Sequence, residues 1–122
     1  MTIVTVWGVN SGCAINPRIL RMFRSLEKAL KLAFSSIPEL GLTEDQVTCF
    51  FPQAYSGSAD IVAFVDGLFE KDERTSDVRK RLTDAIVACI KEECPDAQRP
   101  ERLVACIVRP FYEGCGFTSF KA

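Results

Sequence analysis

Leu26, Ala29, Leu30 and Ala33 recur as Leu82, Ala85, Ile86 and Cys89, each 56 residues further along the chain. Val47-Thr48-Cys49 recurs as Val104-Ala105-Cys106 at a spacing of 57, and Ile3-Val4 as Ile61-Val62 at 58. Small loop differences between two copies of one unit produce such a drift. Each copy reads as strand, helix, strand. In the first, Ile3 to Val9 is apolar and rich in β-branched residues. Asn16 then Pro17 starts a helix, a capping side chain followed by a residue whose missing N–H costs nothing at the first helical position. Ile19, Phe23, Leu26, Leu30, Ala33 and Ile37 recur at three or four and make one buried face. Pro38 and Gly41 end it, and Val47 to Phe51 is the returning strand. In the second copy Ile61 to Val65 is a strand, and Thr75 or Ser76 caps a helix. Val78, Leu82, Ala85, Ile86, Cys89 and Ile90 form that helix's apolar face, and Leu103 to Val108 returns.

A helical crossover between parallel strands is right-handed. Two such units predict an α/β (α+β) fold in which residues 1–122 form one domain, with pseudo-repeats 1–53 and 60–120. The expected architecture is a duplicated β-α-β, a four-stranded mixed sheet with two helices on one face. A ferredoxin-like domain has the same order of elements and differs only in strand pairing. Non-adjacent first and second strands would identify it.

The strands leave a second sheet face to explain. Ile3-Val4, Val6-Trp7, Ile61 to Val65 and Leu103 to Val108 are nearly continuous apolar runs, which signals burial on both faces. Two helices cover one face only. An apolar face of that size is expected to be covered by another subunit, so the chain is expected to form an oligomer packed through its sheets.

Composition narrows the chemistry. The 122 residues include no histidine, which removes Ser-His-Asp and Cys-His catalysis, His-ligated metal and a histidine pH switch. Fifteen basic and sixteen acidic residues give a net charge of −1, without the basic footprint of a nucleic-acid binder. No apolar run reaches the 18 residues of a membrane span, and the amino terminus lacks the basic region of a signal peptide. The expected location is cytoplasmic, with no membrane partner. The six cysteines at 13, 49, 89, 94, 106 and 115 contain no C-x-x-C pair, so no metal or cofactor is implied. Cys49, Cys89 and Cys106 lie in apolar runs and read as small buried hydrophobes. Cys13 and Cys115, flanked by glycine, read as exposed.

Glu73-Arg74-Thr75 at a helix start, Glu101-Arg102-Leu103 opening the last long strand, and Gly116-Phe117-Thr118-Ser119-Phe120 at the tail resemble the tautomerase superfamily. The similarity spans residues 60–120 and is nearest to macrophage migration inhibitory factor and the 5-carboxymethyl-2-hydroxymuconate isomerases. The resemblance implies a homotrimer whose sheets face inward, with a pocket between subunits at the start of the first strand. In that family an amino-terminal proline is the general base for keto–enol tautomerisation. The resemblance also implies that Arg74 binds a substrate carboxylate.

The sequence departs from the family at residues that matter. Residue 2 is Thr2, not proline, so a terminal base would be the amine of Met1, or of Thr2 once Met1 is removed. Where the migration inhibitory factor group has a lysine before a proline this chain has Ile37-Pro38, and where that group has Tyr and Asn on the last long strand it has Val104 and Cys106. A pocket so altered is a poor proline-type tautomerase but remains a candidate binding site for a small carboxylate. Arg74 reads either as the carboxylate anchor or as a solvated side chain beside Asp72 and Glu73. Arg109 reads as a pocket residue or an exposed strand end, beside Pro110 and followed by Phe111 and Tyr112. Phe117 reads as core, interface or ligand contact. Arg18, Arg21, Arg24, Lys28 and Lys31 read as the solvated face of an amphipathic helix.

Overall fold

The computed structural model describes residues 1–10, 17–53 and 60–109. Strand β1 (Thr2–Trp7) lies at the centre of the sheet, because its polar backbone groups are met on both sides. Helix α1 (Pro17–Ser35) leads to a short 3-10 turn (Pro38–Leu40) closed by Gly41 at a φ of 65°. A second short turn (Glu44–Gln46) runs directly into β2 (Val47–Phe50). Strand β3 (Ile61–Asp66), helix α2 (Ser76–Glu93), a turn (Pro95–Gln98) and β4 (Val104–Val108) repeat the unit. The α2 start is set by Thr75, whose hydroxyl accepts from the Val78 amide at 3.3 Å.

The sheet order is β2-β1-β3-β4. β1 is parallel to β2, β3 is parallel to β4, and β1 meets β3 antiparallel. The first and second strands are therefore neighbours, which excludes the ferredoxin-like alternative. Two complete β-α-β units stand side by side around a pseudo-two-fold axis between β1 and β3.

The pairing corrects one detail of the repeat. Thr2 pairs with Val47, and Ile61 pairs with Val104. Thr2, not Ile3, thus takes the place equivalent to Ile61, a spacing of 59. Burial agrees: Thr2, Val4 and Val6 point to the helices, as do Ile61, Ala63 and Val65, whereas Ile3 is only half-buried. A one-residue slip turns every side chain to the other face. Because both faces are apolar, the sequence alone does not mark the parity.

Both helices pack on the inner face of the sheet and on each other. Leu26, Leu30 and Phe34 of α1 meet Leu82, Ile86 and Ile90 of α2 over Val4, Val6, Ile61 and Val65, all essentially without solvent contact. Truncating one of these leucines to alanine removes burial and leaves a cavity, at about 2–5 kcal/mol. Phe23, at the edge of α1, stacks on Phe51 with centroids 5.3 Å apart.

No described segment of the chain covers the opposite face. It carries Ile3, Thr5 and Trp7 of β1, Phe50 of β2, Val62 and Phe64 of β3, and Ala105 and Ile107 of β4. Phe50, Thr5, Phe64 and Ile107 form one row across all four strands. Trp7 is 41% exposed, Phe50 52% and Ile107 47%. The expectation of helices on one face and an apolar second face therefore holds for the described residues. No described helix is long and apolar enough to cross a membrane.

Candidate functional site

Antiparallel pairing of β1 with β3 brings the start of one to the end of the other. Ile3 stands opposite Asp66, and β3 then turns away through Gly67. The parallel pairing of β3 with β4 brings Arg109 to the same place, its amide donating to the Val65 carbonyl at 2.9 Å. Met1, Asp66, Gly67 and Arg109 thus meet at one end of the sheet. Met1 is 69% exposed, and Thr2 behind it is buried.

Gly67 adopts a φ of 77°, which favours glycine. It also packs directly on the terminal residue: a Cβ placed there would lie 2.3 Å from the Met1 carbonyl oxygen. The backbone of residue 1 therefore lies close against Gly67.

Arg109 is the cation of the site. Its Nε donates to Asp66 Oδ1 at 2.6 Å and its Nη2 to Oδ2 at 2.5 Å. The guanidinium carbon lies 4.4 Å from the centroid of the Phe64 ring, a cation–π contact. Its hydrogen bonds to Asp66 raise the Arg109 pKa above the ordinary arginine value. The sequence singled out Arg109 but missed Asp66. A signal for it exists: the offset of 43 that pairs Ile61 with Val104 also matches Asp66 with Arg109, an acid and a base beyond the last paired residues of two parallel strands.

Arg74 does not occupy either place expected of it. It is neither solvated beside Asp72 and Glu73 nor open to a ligand, being 5% exposed. Its Nη1 donates to the Phe69 carbonyl at 2.7 Å and its Nη2 to the Leu40 carbonyl at 2.6 Å. Its Nε is buried without a hydrogen-bond partner among the described residues. Burial lowers its pKa and Glu73 opposes that shift, but a guanidinium stays charged throughout the working range. Arg74 ties the turn before β2 to the segment that precedes α2. Its own carbonyl accepts from Arg79 Nη1 at 2.6 Å.

Ile37 is buried in the core. Val104 and Cys106 face α2, since their partners Ile61 and Ala63 do. The outward residues of β4, Ala105 and Ile107, are apolar as well. The described part of β4 therefore offers no hydroxyl or amide side chain on either face. Burial pushes the Cys49 thiol up to about 11 and the Cys106 thiol up to about 12. Glu27 adds to the Cys49 shift and Lys31 opposes it. Both thiols are half-buried rather than fully enclosed. Arg18, Arg21, Arg24 and Lys28 are exposed on α1, and Lys31 pairs with Glu27 at 3.1 Å. Tyr112, Phe117, Cys13 and Cys115 lie outside the described residues, as does the tail motif.

At the opposite end of β1 a cavity of about 190 Å³ opens between Gly8, Arg18, Met22, Cys94, Pro95 and Arg102. Arg102 Nη2 donates to the Gly8 carbonyl there at 3.1 Å. The cavity is remote from residue 1.

No protein-family model matches the chain, and no curated protein is similar to it in sequence. Solved structures do match. The Q0 fused 4-OT wild type, a symmetric trimer, superposes with a TM-score of 0.59 over 91% of this chain and 85% of its own, at 15% identity. The N1 member of the cis-3-chloroacrylic acid dehalogenase family gives a TM-score of 0.56 over 88% of this chain and 75% of its own, at 12% identity. These neighbours are members of the tautomerase superfamily. The chain has the tautomerase fold. MIF2 of Leishmania major shares it, with a TM-score of 0.52 over 89% of both chains at 19% identity. At this level of identity the likeness is one of architecture, and the groups at the amino-terminal end of β1 are this chain's own. In this fold Thr2 stands at position 2 and is buried, Ile37 lies in the core, and Val104 and Cys106 pack half-buried against it.

Proposed function

We propose that this tautomerase-fold chain works as a homotrimer assembled through the open face of its sheet. It binds a small carboxylate, such as a keto acid, between subunits at the amino-terminal end of β1. The observation that carries this reading is the placement of Arg109, a cation on an apolar sheet face at the strand end where Met1, Asp66 and Gly67 meet. Arginine takes a carboxylate in two parallel hydrogen bonds, and covering the site with a second subunit strengthens that attraction by excluding water. Trimers among the fused 4-OT neighbours support the assembly. Tyr112 and Phe117 are the further candidates to line the ligand.

Titration with phenylpyruvate tests the reading. Binding to the native protein and a loss of about ten-fold or more in Arg109→Gln are expected, the value of one charge-assisted hydrogen-bonded contact. Equal binding by both proteins contradicts it.

A second reading is a keto–enol tautomerase whose base is the terminal amine of Met1, or of Thr2 after removal of Met1. The close packing of Gly67 on residue 1 favours it, since a base must be held in place to take a proton. Turnover of phenylpyruvate enol that disappears when the amine is acetylated is the expected result. Conversion no faster than buffer contradicts it. Intact mass of the native protein identifies which residue carries the amine.

A further inference from the structure

The Nε–Nη2 edge of Arg109 is already occupied. Asp66 presents both carboxylate oxygens to it, at 2.6 and 2.5 Å. That is the two-point geometry in which an arginine holds a free carboxylate. Phe64 lies beneath the guanidinium, its ring centroid 4.4 Å from the guanidinium carbon. The pair is not sealed in the single chain: the Arg109 side chain is 54% exposed and that of Asp66 35%. An exposed ion pair is held weakly, because water competes for both partners. Asp66 is also the last residue of β3, opposite Ile3 and beside the glycine that packs on residue 1. An incoming carboxylate at this end of the sheet reaches Arg109 and Asp66 together.

We propose that Asp66 is an internal stand-in for the ligand's carboxylate, holding the Nε–Nη2 edge of Arg109 over Phe64 until a small-molecule carboxylate displaces it. This rests on the reading of Arg109 as the ligand's anchor. Asp66 then has two opposed effects. It keeps the guanidinium extended and oriented, and it competes with every ligand that uses the same edge. Asp66 is a specificity residue in this account: an uncharged analogue gains nothing from its removal, and a carboxylate gains an unopposed cation.

The test is calorimetric titration of phenylpyruvate and of its methyl ester into the native protein, Asp66→Asn, Asp66→Ala and Arg109→Gln, at one fixed ionic strength. Asp66→Asn keeps the shape without the charge, and Asp66→Ala removes the acceptor. Both are expected to bind phenylpyruvate at least about five-fold more tightly than the native protein, the scale of an exposed ion pair being the lower bound for a pair that a second subunit covers. Ester binding is expected to be unchanged, and Arg109→Gln is expected to lose the acid. Asp66 variants that bind the acid no more tightly, while Arg109→Gln still loses it, overturn the stand-in role and leave the anchor reading intact. Arg109→Gln binding as the native protein does, or no binding by any form, overturns both.

Discussion

The carbonyl oxygen of Met1 lies in the space that a side chain at Gly67 would need, 2.3 Å from where its Cβ would stand. Gly67 also has a left-handed φ of 77°. Two separate penalties therefore act against any other residue there, backbone strain and a clash with main chain that has little room to yield. Gly67→Ala is expected to destabilise the fold by about 2 kcal/mol or more in urea unfolding. Gly41 is the control. Its φ is 65° but no atom lies within 4 Å of an added Cβ, so Gly41→Ala is expected to show the strain alone, about 1 kcal/mol. Equal costs at the two positions would remove the claim that Gly67 packs closely against residue 1.

Arg74 predicts a split between stability and binding. Its two hydrogen bonds go to backbone carbonyls, a buried one at Leu40 and a part-buried one at Phe69. Arg74→Ala leaves the buried Leu40 carbonyl short of a donor, at about 2 kcal/mol. The folded fraction is expected to bind phenylpyruvate as the native protein does. A variant that folds normally but loses the ligand would restore Arg74 as the anchor that the family resemblance implies.

The raised thiol pKa values give a direction in pH. An unfolded cysteine has its ordinary value near 9.0, whereas burial pushes Cys49 up to about 11 and Cys106 up to about 12 in the fold. Above pH 9 the unfolded chain therefore binds fewer protons than the native one. Stability contributed by these neutral thiols is complete below pH 9 and lost as pH rises through 11 and 12. At neutral pH both groups are thiols rather than thiolates, so they are poor nucleophiles. Alkylation followed by peptide mapping is expected to label residues 49 and 106 slowly in native protein and quickly in urea. Rapid labelling of native Cys106 would contradict the burial argument.

The repeat made the architecture legible because helix faces at three and four and β-branched strands are local signals. Leu26 and Leu30 align with Leu82 and Ile86 without knowledge of any contact, and the continuous apolar strands announced a second face needing cover. The parity of those strands was not legible for the same reason: Ile3 and Val4 are both apolar, and only the packing of the fold, which encloses Val4 and leaves Ile3 half-buried, assigns one inward and one outward. At the site, Arg109 was legible as a cation at a strand end. The role of Arg74 was not, since one of its acceptors is the carbonyl of Leu40, 34 residues earlier. Backbone acceptors leave no mark on residue identity. Asp66 was hidden by its place directly after an apolar strand, where an acid reads as a solvated terminus.

Ile107 tests the open face by substitution. It is 47% exposed, outward on β4 and in one row with Phe64, Thr5 and Phe50. In a single chain, Ile107→Asp at such a position is expected to change stability by no more than about 0.5 kcal/mol. Between subunits it places an unpaired carboxylate against apolar surface, a cost of several kcal/mol. A folded monomer is the expected product, seen as native circular dichroism with a reduced mass. An undiminished mass would show that β4 lies outside the interface.

The most direct test of the account is the mass of the native protein in solution, by light scattering at micromolar concentration. The chain weighs 13.6 kDa, and a trimer joined through the sheets has a mass of about 41 kDa, falling toward the single-chain value in Ile107→Asp. A native protein that scatters as one chain of 13.6 kDa would contradict the assembly, and with it a ligand site completed between subunits.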